Sequence, residues 1–262
     1  MPTFAGQPTP YPEINILLQA LLSGVQAVLG NQFAGMYLHG SLVTGDFVPQ
    51  RSDIDFLVVT ASELPADMLP RLQKMHSGIT ASGMKWADKL EGSYIPRQAL
   101  RRYDPAHKQH PALRVDGSFS VDMHGSDWII QRHILREQGL ALAGPLLQQL
   151  IDPVQPEDLR RAVRGILHEW WSQPLPNPNR FNSQEYQAYA VLTMCRALYT
   201  LQHGAVVSKR TAAIWAQAAL DKRWGDLIEQ ALAWTEGNQA DHLQATLDFI
   251  YYTLAQSQRS TE

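Results

Sequence analysis

Residues 37–60 read YLHGSLVTGDFVPQRSDIDFLVVT. A Gly-Ser pair, Gly40-Ser41, closes an apolar run, and twelve residues after Ser41 comes Asp53-Ile54-Asp55, leading into the apolar Phe56-Leu57-Val58-Val59. In a strand, side chains two apart share a face, so Asp53 and Asp55 project together while Ile54 turns to the core. Two adjacent carboxylates repel unless a cation lies between them. An all-oxygen site of this kind suits Mg²⁺, which shares its ligands with substrate phosphates. Gly40 lacks a Cβ, so the turn it makes allows backbone N–H groups and the Ser41 hydroxyl to approach a phosphate closely.

Neither half of the pattern is specific alone. An isolated Asp-x-Asp is usually a turn or a solvated strand end, and a lone Gly-Ser means less. Together, as strand, Gly-Ser, short loop, Ser52-Asp53-x-Asp55 and buried strand, they form the equipment for nucleotidyl transfer.

The chain has 262 residues, 45% hydrophobic and 18% charged, which describes an ordinary globular protein of one large or two modest domains. A net charge of −3 provides no global field for nucleic acid. The single cysteine, Cys195, excludes an intrachain disulfide and a multi-cysteine zinc site, and its apolar helical surroundings mark it as a core residue. No basic segment followed by an apolar one opens the chain, and no apolar run approaches the ~18 residues of a membrane span. A cytoplasmic monomer without nucleic-acid or membrane partners is the expectation.

Along the chain, the spacing predicts a helix over 12–29, strands over 33–38 and 53–60, and a weaker helix over 64–77 that Pro70 interrupts. Short strands are expected over 90–95 and 119–123, with the basic, His-rich stretch between them a surface excursion. A helical pattern resumes over 128–142. Turns at Gly144-Pro145 and Asp152-Pro153 precede a purely helical remainder, in which Gly204 stops one helix and Ser208 caps the next. The expected architecture is an α/β domain over 1–153, a mixed sheet with flanking helices, followed by an all-α bundle over 154–262. That order suits a site in a cleft between two domains. Trp128, Trp170 and Trp171 read as core residues rather than site walls.

The Gly-Ser, spacer, Asp-x-Asp pattern resembles the nucleotidyltransferase superfamily that includes DNA polymerase beta and the aminoglycoside nucleotidyltransferases. Three further segments are similar to the streptomycin/spectinomycin adenylyltransferases: ILREQGLALAGP at 134–145, AVLTMCRALYTLQHGAVVSKRTAAIWA at 190–216, and Ala233-Trp234 followed by Gly237. The resemblance implies ATP as co-substrate, two Mg²⁺ ions held by Asp53 and Asp55, and Gly40, Ser41 and Ser52 on the nucleotide phosphates. It also implies Arg196 and Lys209 reaching the nucleotide from the helical domain, with Trp234 stacking there. A third carboxylate is needed as general base or metal ligand. Glu91 and Asp122 are the candidates, and the Leu90-Glu91 pair resembles a Leu-Glu of that family. Acceptor-binding positions correspond to Asn182, Glu185 and Tyr186, of which only Glu185 is acidic, whereas the family holds its cationic antibiotic with acidic residues there.

The implied activity is transfer of AMP from ATP to a hydroxyl of an aminoglycoside or aminocyclitol. Two alternatives are nucleotidyl transfer to a protein hydroxyl or a metabolite, and a non-catalytic ATP-sensing regulator.

Overall fold

The computed structural model describes residues 7–49, 52–173, 175, 178–235 and 241–259. The chain divides into two compact units, Met1–Pro153 and Val154–Glu262.

The first unit opens with α1 (Pro12–Leu29), where Pro12 sits at a first-turn position that does not need its missing N–H. Ile14, Leu17, Leu18, Leu21, Val25 and Leu29 recur at helical spacing and are buried. By length and apolar composition alone α1 is long enough to cross a bilayer, contrary to expectation, but this stripe is part of the domain core. The elements β1 (Phe33–Leu38), α2 (Ser41–Thr44), β2 (Ile54–Thr60), α3 (Met68–Ala81), β3 (Leu90–Pro96), α4 (Arg97–Arg101), β4 (Gln109–Leu113), β5 (Phe119–Met123), α5 (Asp127–Gln138), β6 (Leu140–Ala143) and α6 (Leu147–Leu150) follow.

The strands form one six-stranded sheet in the order β5-β4-β3-β2-β1-β6. Only β2 and β3 run parallel, because α3 carries the chain across between them. One face buries Met36, Leu38, Ile54, Phe56, Val58, Leu90 and Tyr94 in a core with α1 and α3. The other buries Tyr37, Leu57, Val59 and Ile95 with Leu135, Leu147 and Leu150.

Four local expectations change. Helix α3 starts at Met68, so Pro70 lies in its first turn and does not interrupt it. The basic stretch after β3 is not a bare excursion: it holds α4 and β4, whose Pro111 and polar residues hide a strand. The helical pattern over 128–142 ends at Gln138, and Leu140–Ala143 pairs with β1 as β6. Strand β2 begins at Ile54, one residue later than expected.

The second unit is helical: α7 (Pro156–Ile166), a π-helical turn Leu167–Trp171, a 3-10 turn Pro178–Asn182, α8 (Gln184–His203), α9 (Lys209–Ala219), α10 (Gly225–Ala233) and α11 (Leu243–Arg259). Ser208 caps α9 by accepting from the Thr211 amide at 3.1 Å, and Gly204 ends α8 with φ of 61°. Cys195 is buried in α8, and burial pushes its thiol pKa up to about 12. Gly237 lies outside the described residues.

Candidate active site

The Gly40-Ser41 turn follows β1. Gly40 has φ of 68°, a left-handed conformation that glycine adopts without penalty, and a Cβ there would collide with the carboxylate Oδ2 of Asp55. The glycine is therefore required both by the backbone and by its neighbour. Ser41 opens the single turn of α2, whose Val43 and Thr44 amides donate to the Gly40 carbonyl at 3.2 and 3.1 Å. Ser52 closes the following loop: its hydroxyl accepts from the Val48 amide at 2.9 Å while its own amide donates to the Val48 carbonyl. In this arrangement Ser52 acts as a loop clamp. Residues 50 and 51 of the loop lie outside the described part.

The carboxylates gather on one sheet face. Asp55 shares its face of β2 with Leu57 and Val59, while Ile54 and Phe56 enter the opposite core, as the two-residue period requires. Because β2 and β3 are parallel and in register, Asp55 stands beside Glu91 and Leu57 beside Ser93. On the other side of Asp55 lies His39, whose amide donates to the Asp55 carbonyl at 3.2 Å. Burial, opposed by a hydrogen bond with the Phe56 backbone, pulls the His39 pKa down to about 4, so its ring is neutral at pH 7.

Glu91 is pushed the other way. Partial burial, and then the charges of Asp55, Asp53 and Asp122, raise its pKa to about 7. The residue is exposed by surface area, so the three like charges are the firmer cause. Asp122 differs because it carries its own countercharge: Arg114 Nε donates to its Oδ2 at 2.9 Å, Arg114 Nη2 donates to Oδ1, and Ser120 Oγ donates to Oδ1 at 2.9 Å. Of the two candidate bases, Glu91 is the one beside Asp55 and the one poised to exchange a proton near neutral pH.

Among the described residues no three His, Cys, Asp or Glu side chains stand close enough to enclose a metal ion. The donor set nevertheless fits Mg²⁺. It is all oxygen, it comes from adjacent strands at paired positions, and its mutual repulsion is what a divalent cation relieves.

In the second unit, Lys209 Nζ lies 4.1 Å from the centroid of Tyr189. Burial lowers the pKa of Arg196, and Tyr189 is near enough to oppose that shift. Tyr186, Tyr189 and Arg196 project from one side of α8, three and seven residues apart. Tyr186 and Tyr189 each lie nearly parallel to Trp171, at 6.2 and 6.1 Å. Trp171 is buried as expected, but Trp170 is 55% exposed and is not a core residue. The Arg180 guanidinium lies 5.0 Å from the Trp170 ring and 5.9 Å from that of Tyr186. Asn182 and Glu185 are exposed beside this stack. Trp234 is elsewhere. It lines a small cavity with Gln184, Gln187, Ala188 and Val191, on the opposite side of α8 from Tyr189 and Arg196, so the expected grouping of Trp234 with Arg196 and Lys209 does not form. Trp128 stacks on His124, rings 3.6 Å apart, at the first unit's sheet.

Two family models match the chain. Residues 26–113 match the nucleotidyltransferase domain, and residues 149–256 match the aminoglycoside adenylyltransferase C-terminal domain. An aminoglycoside (3'')(9) adenylyltransferase of Rhizobium radiobacter is 28% identical over 250 residues, covering 91% of this chain and 89% of that one. The chain is an aminoglycoside adenylyltransferase-like nucleotidyltransferase. A spectinomycin 9-adenylyltransferase of Staphylococcus aureus is 26% identical over 219 residues, 79% of each chain. The fold matches that of a spectinomycin adenyltransferase from Enterococcus faecialis, solved with ATP and spectinomycin, with a TM-score of 0.72, 19% identity, and coverage of 92% of this chain and 98% of that one.

Within this adenylyltransferase, sequence reasoning missed four residues of the two candidate regions. Arg114 is the ion-pair partner of Asp122 across the β4–β5 hairpin, which only the pairing of those strands reveals. Tyr189 was findable, because it is three residues after Tyr186 and seven before Arg196 on a helix. Trp170 and Arg180 meet through a π-helical and a 3-10 turn, which leave no periodic signal.

Proposed function

We propose that this enzyme transfers AMP from ATP to a hydroxyl of an aminoglycoside or aminocyclitol antibiotic and releases pyrophosphate. The observation that carries the reading is the in-register pair of Asp55 and Glu91, set against a Gly40 whose missing Cβ leaves room for the Asp55 carboxylate. Glu91 accepts the proton of the acceptor hydroxyl as that oxygen attacks the α-phosphorus, and the bond to the β,γ-pyrophosphate breaks. Gly40 and Ser41 hold the phosphates, Ser52 fixes the loop that leads to Asp53, and Arg196 and Lys209 are the cations given to the nucleotide. Asp53 and Asp55, with Glu91, would hold Mg²⁺, which when bound neutralises triphosphate charge and aligns the attacking and leaving oxygens. Asn182, Glu185 and Tyr186 face the acceptor. The reaction belongs in the cytoplasm, by a monomer, without nucleic-acid or membrane partners; the small net negative charge supports the absence of nucleic acid.

Incubation of the protein with ATP, Mg²⁺ and a panel of aminoglycosides and spectinomycin, read by mass spectrometry and pyrophosphate release, tests this. An acceptor heavier by one AMP is the expected result. ATP binding with neither product nor pyrophosphate would point instead to a nucleotide-sensing regulator. One feature favours a second reading, transfer to another acceptor: of Asn182, Glu185 and Tyr186, only Glu185 can balance a cationic antibiotic.

A further inference from the structure

The face formed by the π-helical turn Leu167–Trp171, the 3-10 turn Pro178–Asn182 and the start of α8 carries an exposed arginine, Arg180, on an aromatic support. Its guanidinium lies 5.0 Å from the Trp170 ring and 5.9 Å from the Tyr186 ring, and cation–π attraction to two rings holds it in place. Both rings are reachable, since Trp170 is 55% exposed and Tyr186 half-buried, and Tyr186 continues into Tyr189 and buried Trp171. Arg180 is the cation fixed on this stack, and Glu185 stands one residue before Tyr186. The flat rings suit a rigid cyclic acceptor. Glu185 can receive one ammonium group, but each further ammonium meets an arginine that cannot give up its charge. Like-charge contacts of this kind reject a ligand without any loss of attraction for the preferred one.

We infer that Arg180 is a specificity-determining residue that excludes polycationic acceptors, so that the acceptor is a rigid cyclitol with few basic nitrogens. This rests on the acceptor assignment of Asn182, Glu185 and Tyr186 made above.

The test is kcat/KM for a series of hydroxylated cyclic acceptors with one, two and several basic amines, at low and high salt, for the wild type, Arg180→Gln and Arg180→Glu. Arg180 is exposed, so both variants should fold, and Arg180→Gln separates loss of charge from loss of packing. In the wild type, kcat/KM should fall as the number of positive charges rises, and salt should weaken that slope by screening. Arg180→Glu should raise kcat/KM for the most charged acceptor by about tenfold, ~1.4 kcal/mol, with Arg180→Gln in between and the dissociation constant for ATP unchanged. A charge-independent wild-type series, or an equal change for every acceptor in Arg180→Glu, overturns the proposal. No AMP adduct from any acceptor with any variant, while ATP still binds, removes the acceptor assignment itself and this inference with it.

Discussion

At the residue scale, the candidate catalytic centre depends on contacts that allow little substitution. Gly40→Ala adds a methyl group where the Asp55 carboxylate sits, in a backbone conformation that alanine disfavours. This variant should lose activity by at least about a hundredfold, the order expected for a misplaced reactive group, and steady-state kinetics beside a circular dichroism melt will separate that loss from unfolding. Asp53→Asn or Asp55→Asn should leave no more than about a tenth of wild-type kcat, a barrier increase of ~1.4 kcal/mol or more, with the fold intact. Glu91→Gln should lower kcat by about 10²–10⁴-fold and leave ATP affinity nearly unchanged. If Asp122→Asn is dead and Glu91→Gln normal, the base is Asp122. The Glu91 pKa is raised to about 7, so without metal the base is protonated below neutral pH and ionised above it. A carboxyl titration followed by NMR should show this raised midpoint, and added Mg²⁺ should move it down, because a cation favours the ionised form. A midpoint that ignores Mg²⁺ would argue against Glu91 as a ligand.

At the scale of elements, what the sequence disclosed follows from periodicity and what it hid follows from pairing. Helices α1 and α8, strands β1 and β3 and the Ser208 cap all carry local signals. The two-residue repeat puts Asp53 and Asp55 on one face, but β2 starts only at Ile54, and what the structure shows is that both carboxylates act on Glu91. Strand β4 was hidden because His110 and Pro111 are poor strand residues whose fitness comes from neighbours: Ala112 pairs with Ser93 on one side and Ser120 on the other. Strand β6 was hidden because Leu140–Ala143 continues the apolar pattern of α5 past Gly139. The proximity of Glu91 to Asp55 is a property of a parallel register that no local pattern encodes. In the helical unit, Trp171 is the ring on which Tyr186 and Tyr189 rest, and it is 3% exposed. Trp171→Ala should cost about 3–5 kcal/mol of that unit's stability and loosen the Tyr189 ring against which Lys209 lies, which urea unfolding monitored by tryptophan fluorescence will measure.

At the scale of the molecule, Gly40, Ser41, Arg196 and Lys209 are the residues proposed to contact ATP. A ligand that binds only the folded chain stabilises it, by about 2.7 kcal/mol at a hundred times its dissociation constant. ATP with Mg²⁺ should therefore raise the melting temperature, and Ser41→Ala and Lys209→Ala should each reduce that rise. An undiminished rise in Lys209→Ala would remove Lys209 from the nucleotide site. The parallel pairing of β2 with β3 also has a consequence for how the chain folds. Asp55 and Glu91 become neighbours only once the chain has closed over α3, a non-local event of the kind that slows folding. Like charges directly opposite across strands work against that closure, by a few tenths to about 1 kcal/mol. The arrangement assigned to catalysis is thus a local obstacle to the assembly of its own sheet. A divalent ion, or a pH low enough to protonate Glu91, should speed refolding of the wild type more than of Glu91→Gln, making the metal a participant in the birth of the enzyme as well as in its turnover.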